Sequence, residues 1–347
     1  MASSKPYPII DSHIHLYPSS ELSTLAWCTP ASPLSKQHSI AEYATATGRP
    51  SNLEGFIFLE TDRKSHLDGP EGWDLPLVEV DWLRRIATDQ PKEGEGHEVG
   101  NGKLCLGIVP WAPVPAGEEA MEKYVKAVEE RAGAAWGKVK GFRYLVQDKA
   151  KGTMLEGKFI QSLRWMGRRG FVFDLGVDQH SGGKWQLEEA CEMVNRAHEG
   201  VKEGERVTIV INHLCKPDLS VYNETDPSFI AWRNAMFRLG KNSKTYMKLS
   251  GCFSEMPDSV KNGSILEIFI ALQPYLAVIL GAFGSFRVMF GSDWPVCTVG
   301  VEGADGAWKK WKAVVEKFCY LASLSDEDQI MIWSGTAIKA YAIEELM

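Results

Sequence analysis

Two histidines separated by one residue, in Ile9-Ile10-Asp11-Ser12-His13-Ile14-His15-Leu16-Tyr17, are the first chemistry-bearing feature of the chain. On a β-strand, residues i and i+2 point to the same side, so His13 and His15 project toward one point. Paired imidazoles suit a divalent metal, whereas two hydrogen-bonded histidines at a strand end are the structural alternative. A carboxylate far along the chain, Asp293, closes the last apolar run, and its relation to the histidines depends on how the strands between them are arranged.

Short β-rich apolar runs recur at 8–16, 55–61, 104–110, 139–144, 171–177, 207–213, 245–250 and 287–294. Several lack polar alternation, which fits strands covered on both faces, as in a parallel sheet under helices. Helical periodicity falls between them, at 39–47, 77–87, 118–132, 159–168, 187–201, 229–239, 265–280 and 308–321. This alternation predicts a (β/α)8 (TIM) barrel over 1–347 as one domain, with loop insertions near 25–39, 66–76, 91–102 and 250–262. A doubly wound open sheet is the competing architecture. The charged, glycine-rich stretch at 91–102 reads as an exposed loop.

A barrel collects its chemistry at the C-terminal ends of its strands. The polar residues there are His13 and His15, Glu60, then Lys140, Arg143 and Tyr144, followed by Asp174, His213, Lys248 and Asp293. Closure sets strand eight beside strand one, which brings His13, His15 and Asp293 together. Each of the others has a structural reading. Asp174 and Lys248 can pair with each other or with Arg143 inside the barrel. His213 can be a satisfied core histidine, and Glu60 can cap the turn at Arg63. Trp111 and Trp294 can be packing residues, although aromatic faces also suit sugar rings. Cys215 is a weak nucleophile candidate, because the strand ends where it stands.

The 38 basic and 45 acidic residues give a net charge of −7, and no Lys/Arg block is present of the kind that neutralises phosphates, so nucleic acid is not an expected partner. Seven cysteines without a Cys-x-x-Cys pair fit reduced thiols in an intracellular protein. The first residues lack the apolar core of a secretory signal and the apolar runs read as too short for a membrane span, so the expectation is a cytoplasmic protein without membrane attachment. Glycosylation-type patterns at Asn223 and Asn262 are then chance matches. Serine-hydrolase, dinucleotide and P-loop motifs are absent from the sequence.

Taken in order, IDSHIHLY, KGFRYLVQD at 140–148, FDLGV at 173–177, NHLCKP at 212–217, KLSG at 248–251 and FGSDWPVC at 290–297 resemble the amidohydrolase superfamily. The resemblance is to its amidohydrolase 2 branch, specifically the sugar-lactone hydrolases that include L-rhamnono-γ-lactonases and L-fucono-lactonases. The family usually reads Lys-Gly-Val/Ile-Arg-His where this chain has Lys140-Gly141-Phe142-Arg143-Tyr144. It reads Asp-His-x-Gly-Lys-Pro where this chain has Asn212-His213-Leu214-Cys215-Lys216-Pro217.

The resemblance implies a barrel hydrolase that opens a small-molecule lactone, with a homodimer as the assembly such a barrel allows. It implies one divalent metal, zinc first, on His13, His15 and Asp293; branch members differ in needing a metal, so metal-independent activity stays open. Asp293 is the expected general base. His213 either completes the metal shell or, the favoured role, donates to the carbonyl oxygen. Lys140 and Arg143 are expected to supply further donors, Lys140 as a catalytic residue, with Tyr144, Glu60, Trp111, Asp174 and Trp294 contacting substrate. The same branch resembles metal-dependent decarboxylases, which is the competing activity, and a catalytically silent binding protein is the second competitor.

Overall fold

The computed structural model describes residues 6–344. Eight parallel strands follow in sequence: β1 Ile9–Ile14, β2 Leu53–Leu59, β3 Cys105–Val109, β4 Gly141–Arg143, β5 Val172–Leu175, β6 Thr208–Ile211, β7 Thr245–Leu249 and β8 Val288–Phe290. They form two parallel sheets, β1-β2-β3 and β4 through β8. Two seams join the sheets into a ring. Ile108 bridges Val139 and Trp111 bridges Arg143 on one side, while Ile14 bridges Trp294 on the other. The Asp293 amide donates to the His13 carbonyl (2.9 Å) and the His15 amide to that of Trp294 (2.8 Å), so the exit of β8 is pinned to β1. The closed (β/α)8 barrel predicted from alternation is therefore the observed fold.

The alternation has its cause in two apolar layers. Ile10, Ile57, Leu59, Val109, Val210 and Met289 point into the barrel, where Tyr341 and Ile343 of the C-terminal segment join them. Their strand neighbours, such as Phe56, Phe58 and Phe173, point outward to the helices. The segment after 321 carries no long amphipathic period, and its role in filling the barrel interior comes from packing.

Long helices occupy the spaces between strands, among them Asp74–Ala87, Glu118–Ala132, Gly157–Arg168, Trp185–His198, Pro227–Gly240 and Ala307–Leu321. The helix Ile265–Phe283 begins with a capping box of Ser264 and Glu267. At 19 residues it is long and apolar enough by composition to cross a membrane, which corrects the reading that every apolar run is too short. Its Ile268, Leu272, Tyr275, Leu276 and Ile279 are buried in the protein core.

The 91–102 stretch is not wholly an exposed loop either. Arg85 donates from Nε to Glu95 (3.1 Å), and the His97 ring packs edge-on against Trp82, so Glu95 and His97 are both buried. A buried arginine needs its carboxylate, and that requirement is invisible to a local reading of glycine and charge.

Candidate active site

Three imidazoles and one carboxylate converge at the C-terminal mouth of the barrel. His13 lies in β1, with His15 one residue past its end; His213 follows β6 and Asp293 follows β8. Nε2 of His13 and of His15 are each 3.5 Å from Asp293 Oδ1, and Nε2 of His213 is 3.7 Å away. His13 and His15 face each other across 3.2 Å between the same atoms. His13, His213 and Asp293 all lie within 4.8 Å of one another, so His213 joins the group expected to hold a metal.

The outer ring nitrogens are held by other groups. His15 Nδ1 contacts the Leu59 carbonyl (2.9 Å), His213 Nδ1 the Ser250 hydroxyl (2.9 Å) and His13 Nδ1 the Lys248 ammonium (3.3 Å). Behind that lysine, Nζ donates to Asp174 Oδ1 (2.7 Å), and Tyr341 donates to Asp174 Oδ2 (2.5 Å). Each inward Nε2 is thus aimed by a partner on its far side. Gly251 (φ +64°) is required here, because a Cβ at that position would run into the His213 ring.

Burial pushes His213 down to about 3 and His13 well below the usual imidazole range, with Lys248 adding to the second effect. Burial opposes ionisation of Asp293, but His213, His15 and Lys216 together hold its carboxyl below the ordinary value. Neutral imidazoles around a carboxylate are the protonation states a divalent metal needs. Four ligands on one ion at about 2.0–2.2 Å are separated by roughly 3.3–3.6 Å along a tetrahedron's edges, close to the separations from Asp293 and between His13 and His15. His13, His213 and Asp293 suit one zinc-type ion, with His15 beside His13 and Asp293 as a further donor.

Two backbone features place the reacting groups. Residues His213, Leu214, Cys215 and Lys216 all have positive φ, between 45° and 61°, and Asp293 has φ 62°. Non-glycine residues avoid this region, so strain is concentrated where the chemistry sits. Cys215 takes the left-handed turn where the family pattern has glycine. Its thiol is fully buried and pushed well above its ordinary pKa by that burial, which removes it as a nucleophile. The turn at Asp293 is braced by Asp11, a residue the sequence did not single out. Its carboxylate accepts from the Ser292 amide (2.7 Å), the Trp308 indole (2.8 Å) and the Tyr43 hydroxyl (3.0 Å).

A pocket of about 280 Å³ opens above the cluster. Trp27, Leu34, Leu145 and Val296 form its apolar side; Asp62, Arg143, Gln147, Asn212 and Lys216 supply its polar side. The segment expected as a loop at 25–39 reaches the mouth because the Ala26 amide bonds the Asp62 carbonyl (2.9 Å) and the Trp27 indole bonds that of Thr61 (2.9 Å). Arg63 secures the same contact through Glu21 (2.7 Å) and Glu79 (3.2 Å). Asp62 is pushed up to about 6, chiefly by burial and then by Glu60.

Arg143 lines the pocket as expected; several other candidates do not. Lys140 precedes β4, and its Nζ bonds the Ala342 carbonyl (3.2 Å) of the C-terminal segment, so it stands at the opposite end of the barrel and the catalytic expectation is corrected. Glu60 is fully buried and positions Arg143, accepting from its Nε (2.7 Å) and from the Asp62 amide (2.6 Å). Asp174 is sealed beneath the site by Lys248 and Tyr341. Trp111 packs edge-on against Tyr124 and lies beside Tyr144, and Trp294 packs against His38 and Tyr43. For Glu60, Asp174, Trp111, Tyr144 and Trp294, substrate contact gives way to a packing or positioning role. Trp27, Asp62, Gln147, Asn212 and Lys216 were missed; each lies in or beside a strand-end loop, where polar or aromatic residues are common without function.

The amidohydrolase family profile matches residues 106–343. An L-rhamnono-gamma-lactonase of Scheffersomyces stipitis is 32% identical over 345 residues, 97% of this chain and 99% of that one. An L-fucono-1,5-lactonase of Burkholderia multivorans is 28% identical, covering 60% of this chain and 64% of its own. Among solved structures, an amidohydrolase from Burkholderia multivorans with bound zinc superposes with a TM-score of 0.71 at 23% identity, over 97% of this chain and 100% of that one. A solved 2,6-dihydroxybenzoate decarboxylase from Rhizobium has the same fold at lower similarity. With its strand-one histidines, its strand-eight aspartate and this match over most of its length, the chain belongs to the amidohydrolase family.

Proposed function

We propose that the protein is a hydrolase that opens a sugar-acid lactone, L-rhamnono-γ-lactone or a similar aldonolactone, by attack of water on the lactone carbonyl. The observation that carries this reading is Asp293, a buried carboxylate held in its ionised form. Its Oδ1 faces three imidazoles, and its Oδ2 makes no hydrogen bond among the described residues. The Scheffersomyces stipitis L-rhamnono-gamma-lactonase, matched over 99% of its length, supports the substrate class.

Asp293 accepts a proton from water as the water oxygen bonds to the carbonyl carbon. Arg143 is placed to meet the negative charge that develops on the carbonyl oxygen: Nε and Nη2 are fixed on Glu60, and Nη1 makes no hydrogen bond among the described residues. The ring C–O bond then breaks, Asp293 returns its proton to the departing oxygen, and a hydroxy acid is left. His13, His213 and Asp293, with His15 beside them, would hold one divalent metal, zinc first given the zinc-bound structural neighbour, which would supply Lewis acidity and lower the pKa of water toward about 7.

A pH-indicator screen of γ- and δ-aldonolactones, run after chelation and again after zinc addition, tests the reading. Acid release from an aldonolactone is the expected result. Carbon dioxide release from a carboxylated substrate without lactone opening would replace it with the decarboxylase reading.

A further inference from the structure

We propose that the side-chain amide of Asn212 reads a ring hydroxyl of the substrate and so makes the pocket selective for hydroxylated lactones over plain ones. This rests on the lactonase reading and names the feature of the substrate that the site recognises. Asn212 is 1% exposed, and neither its Oδ1 nor its Nδ2 has a hydrogen-bond partner among the described residues. Other buried polar atoms share that condition, including Trp82 Nε1 and Tyr124 Oη, but their residues do not line the pocket. Among the described residues, Asn212 is the only one with such orphaned atoms that also lines the pocket over Asp293.

The backbone holds this amide in place. The Asn212 N–H donates to the Leu175 carbonyl (2.9 Å), and the strained turn beginning at His213 follows directly. Across from it, Gly176 also lines the pocket, and a Cβ there would come within 3.9 Å of Asn212 Nδ2 and 3.5 Å of Leu145 Cδ2. The missing side chain leaves room for a ligand atom beside the amide.

Chemistry narrows what that atom is. A buried amide left unpaired is costly, and it offers one acceptor and two donor hydrogens at adjacent positions. A hydroxyl both donates and accepts, so it can meet both poles at once. A carboxylate or phosphate oxygen satisfies only Nδ2, and an aliphatic carbon satisfies neither. A site built around such a group discriminates strongly against analogues lacking the hydroxyl, because the protein's own polar atoms are then left unpaired.

The test measures kcat and KM of wild type and Asn212→Leu on an aldonolactone and on γ-butyrolactone, which has the ring and no hydroxyls. In parallel, calorimetry measures binding of a 1,4-anhydroalditol, which has the hydroxyls and no carbonyl. The expected result is a fall of at least about tenfold in the selectivity ratio of kcat/KM values, carried mainly by KM on the aldonolactone, with a similar weakening of anhydroalditol binding. An unchanged ratio, or wild-type and variant binding the anhydroalditol equally, would overturn the proposal. Asn212→Asp, nearly isosteric and lacking the donor, carries the same comparison if the leucine variant does not fold, and a smaller drop in the ratio is expected. Should wild type open neither lactone, the lactonase reading fails by itself, and anhydroalditol binding still decides the role of Asn212.

Discussion

The floor of the site and its mouth use the same kinds of residue in opposite ways. On the floor, Tyr341, Asp174, Lys248 and His13 form an unbroken line of contacts, and Asp11 accepts hydrogen bonds from three elements. At the mouth, Asn212 has no partner for either side-chain polar atom among the described residues, and Arg143 keeps one guanidinium nitrogen free of hydrogen bonds there. A polar group whose bonds are all met inside the protein sets position. One that lines the pocket with a bond to spare is available to a ligand.

The largest separation between the two regions is expected in stability. Asp174→Ala leaves the Lys248 ammonium, already pushed down to about 8 by burial, without its carboxylate. Loss of about 3–5 kcal/mol in urea unfolding is expected, as for other buried pairs with one partner removed. A change below about 1 kcal/mol would mean that the Lys248 charge does not depend on Asp174.

Acid sharpens the same contrast. His13 and His213 are kept neutral by burial in the folded protein, whereas in the unfolded chain each takes a proton near pH 6.5. Their folded pKa values are depressed, so the unfolded state binds more protons as pH falls below about 6.5, and stability drops through that window. His38, pushed down to about 4 by burial, acts in the same direction. Asp62 at the mouth and Glu79 behind it are raised to about 6 and about 7, so their contribution is full at low pH and is lost as pH rises through those values. The three imidazoles outweigh the two carboxyls, and urea midpoints are expected to fall from pH 7 to pH 5; a rising midpoint would contradict neutral imidazoles on the floor.

The smallest effect is expected at the apolar side of the mouth. Trp27 is only partly buried and contributes one face to the pocket. Trp27→Ala should raise KM several-fold while shifting unfolding by about 1 kcal/mol or less, and a large stability loss would assign it to the packed scaffold instead.

The regions also differ in what the sequence discloses. Strand periodicity, the His13–His15 spacing and the adjacency of strands eight and one are enough to bring Asp293 to the histidines, because closure of a parallel barrel leaves few alternatives. Which end of a strand a polar residue occupies is harder to read. Lys140 and Arg143 are three residues apart in one motif, yet one lies at each end of β4. Asp174 and Lys248 looked equally suited to substrate and to each other, and only the hydroxyl of Tyr341, from a segment with no strong period, shows that they are sealed. The mouth was least legible: the segments of Trp27 and Asp62 meet through the hydrogen bonds of Ala26 to Asp62 and of Trp27 to Thr61, positions 36 and 34 residues apart, which no local pattern encodes.

The most direct measurement compares the opening of an aldonolactone by wild type and Asp293→Asn, with zinc content and unfolding midpoint determined on the same samples. Replacement of the carboxylate by a neutral amide is expected to lower kcat by about 10³-fold or more with the fold intact. A variant that keeps wild-type turnover would contradict Asp293 as the group that moves the proton.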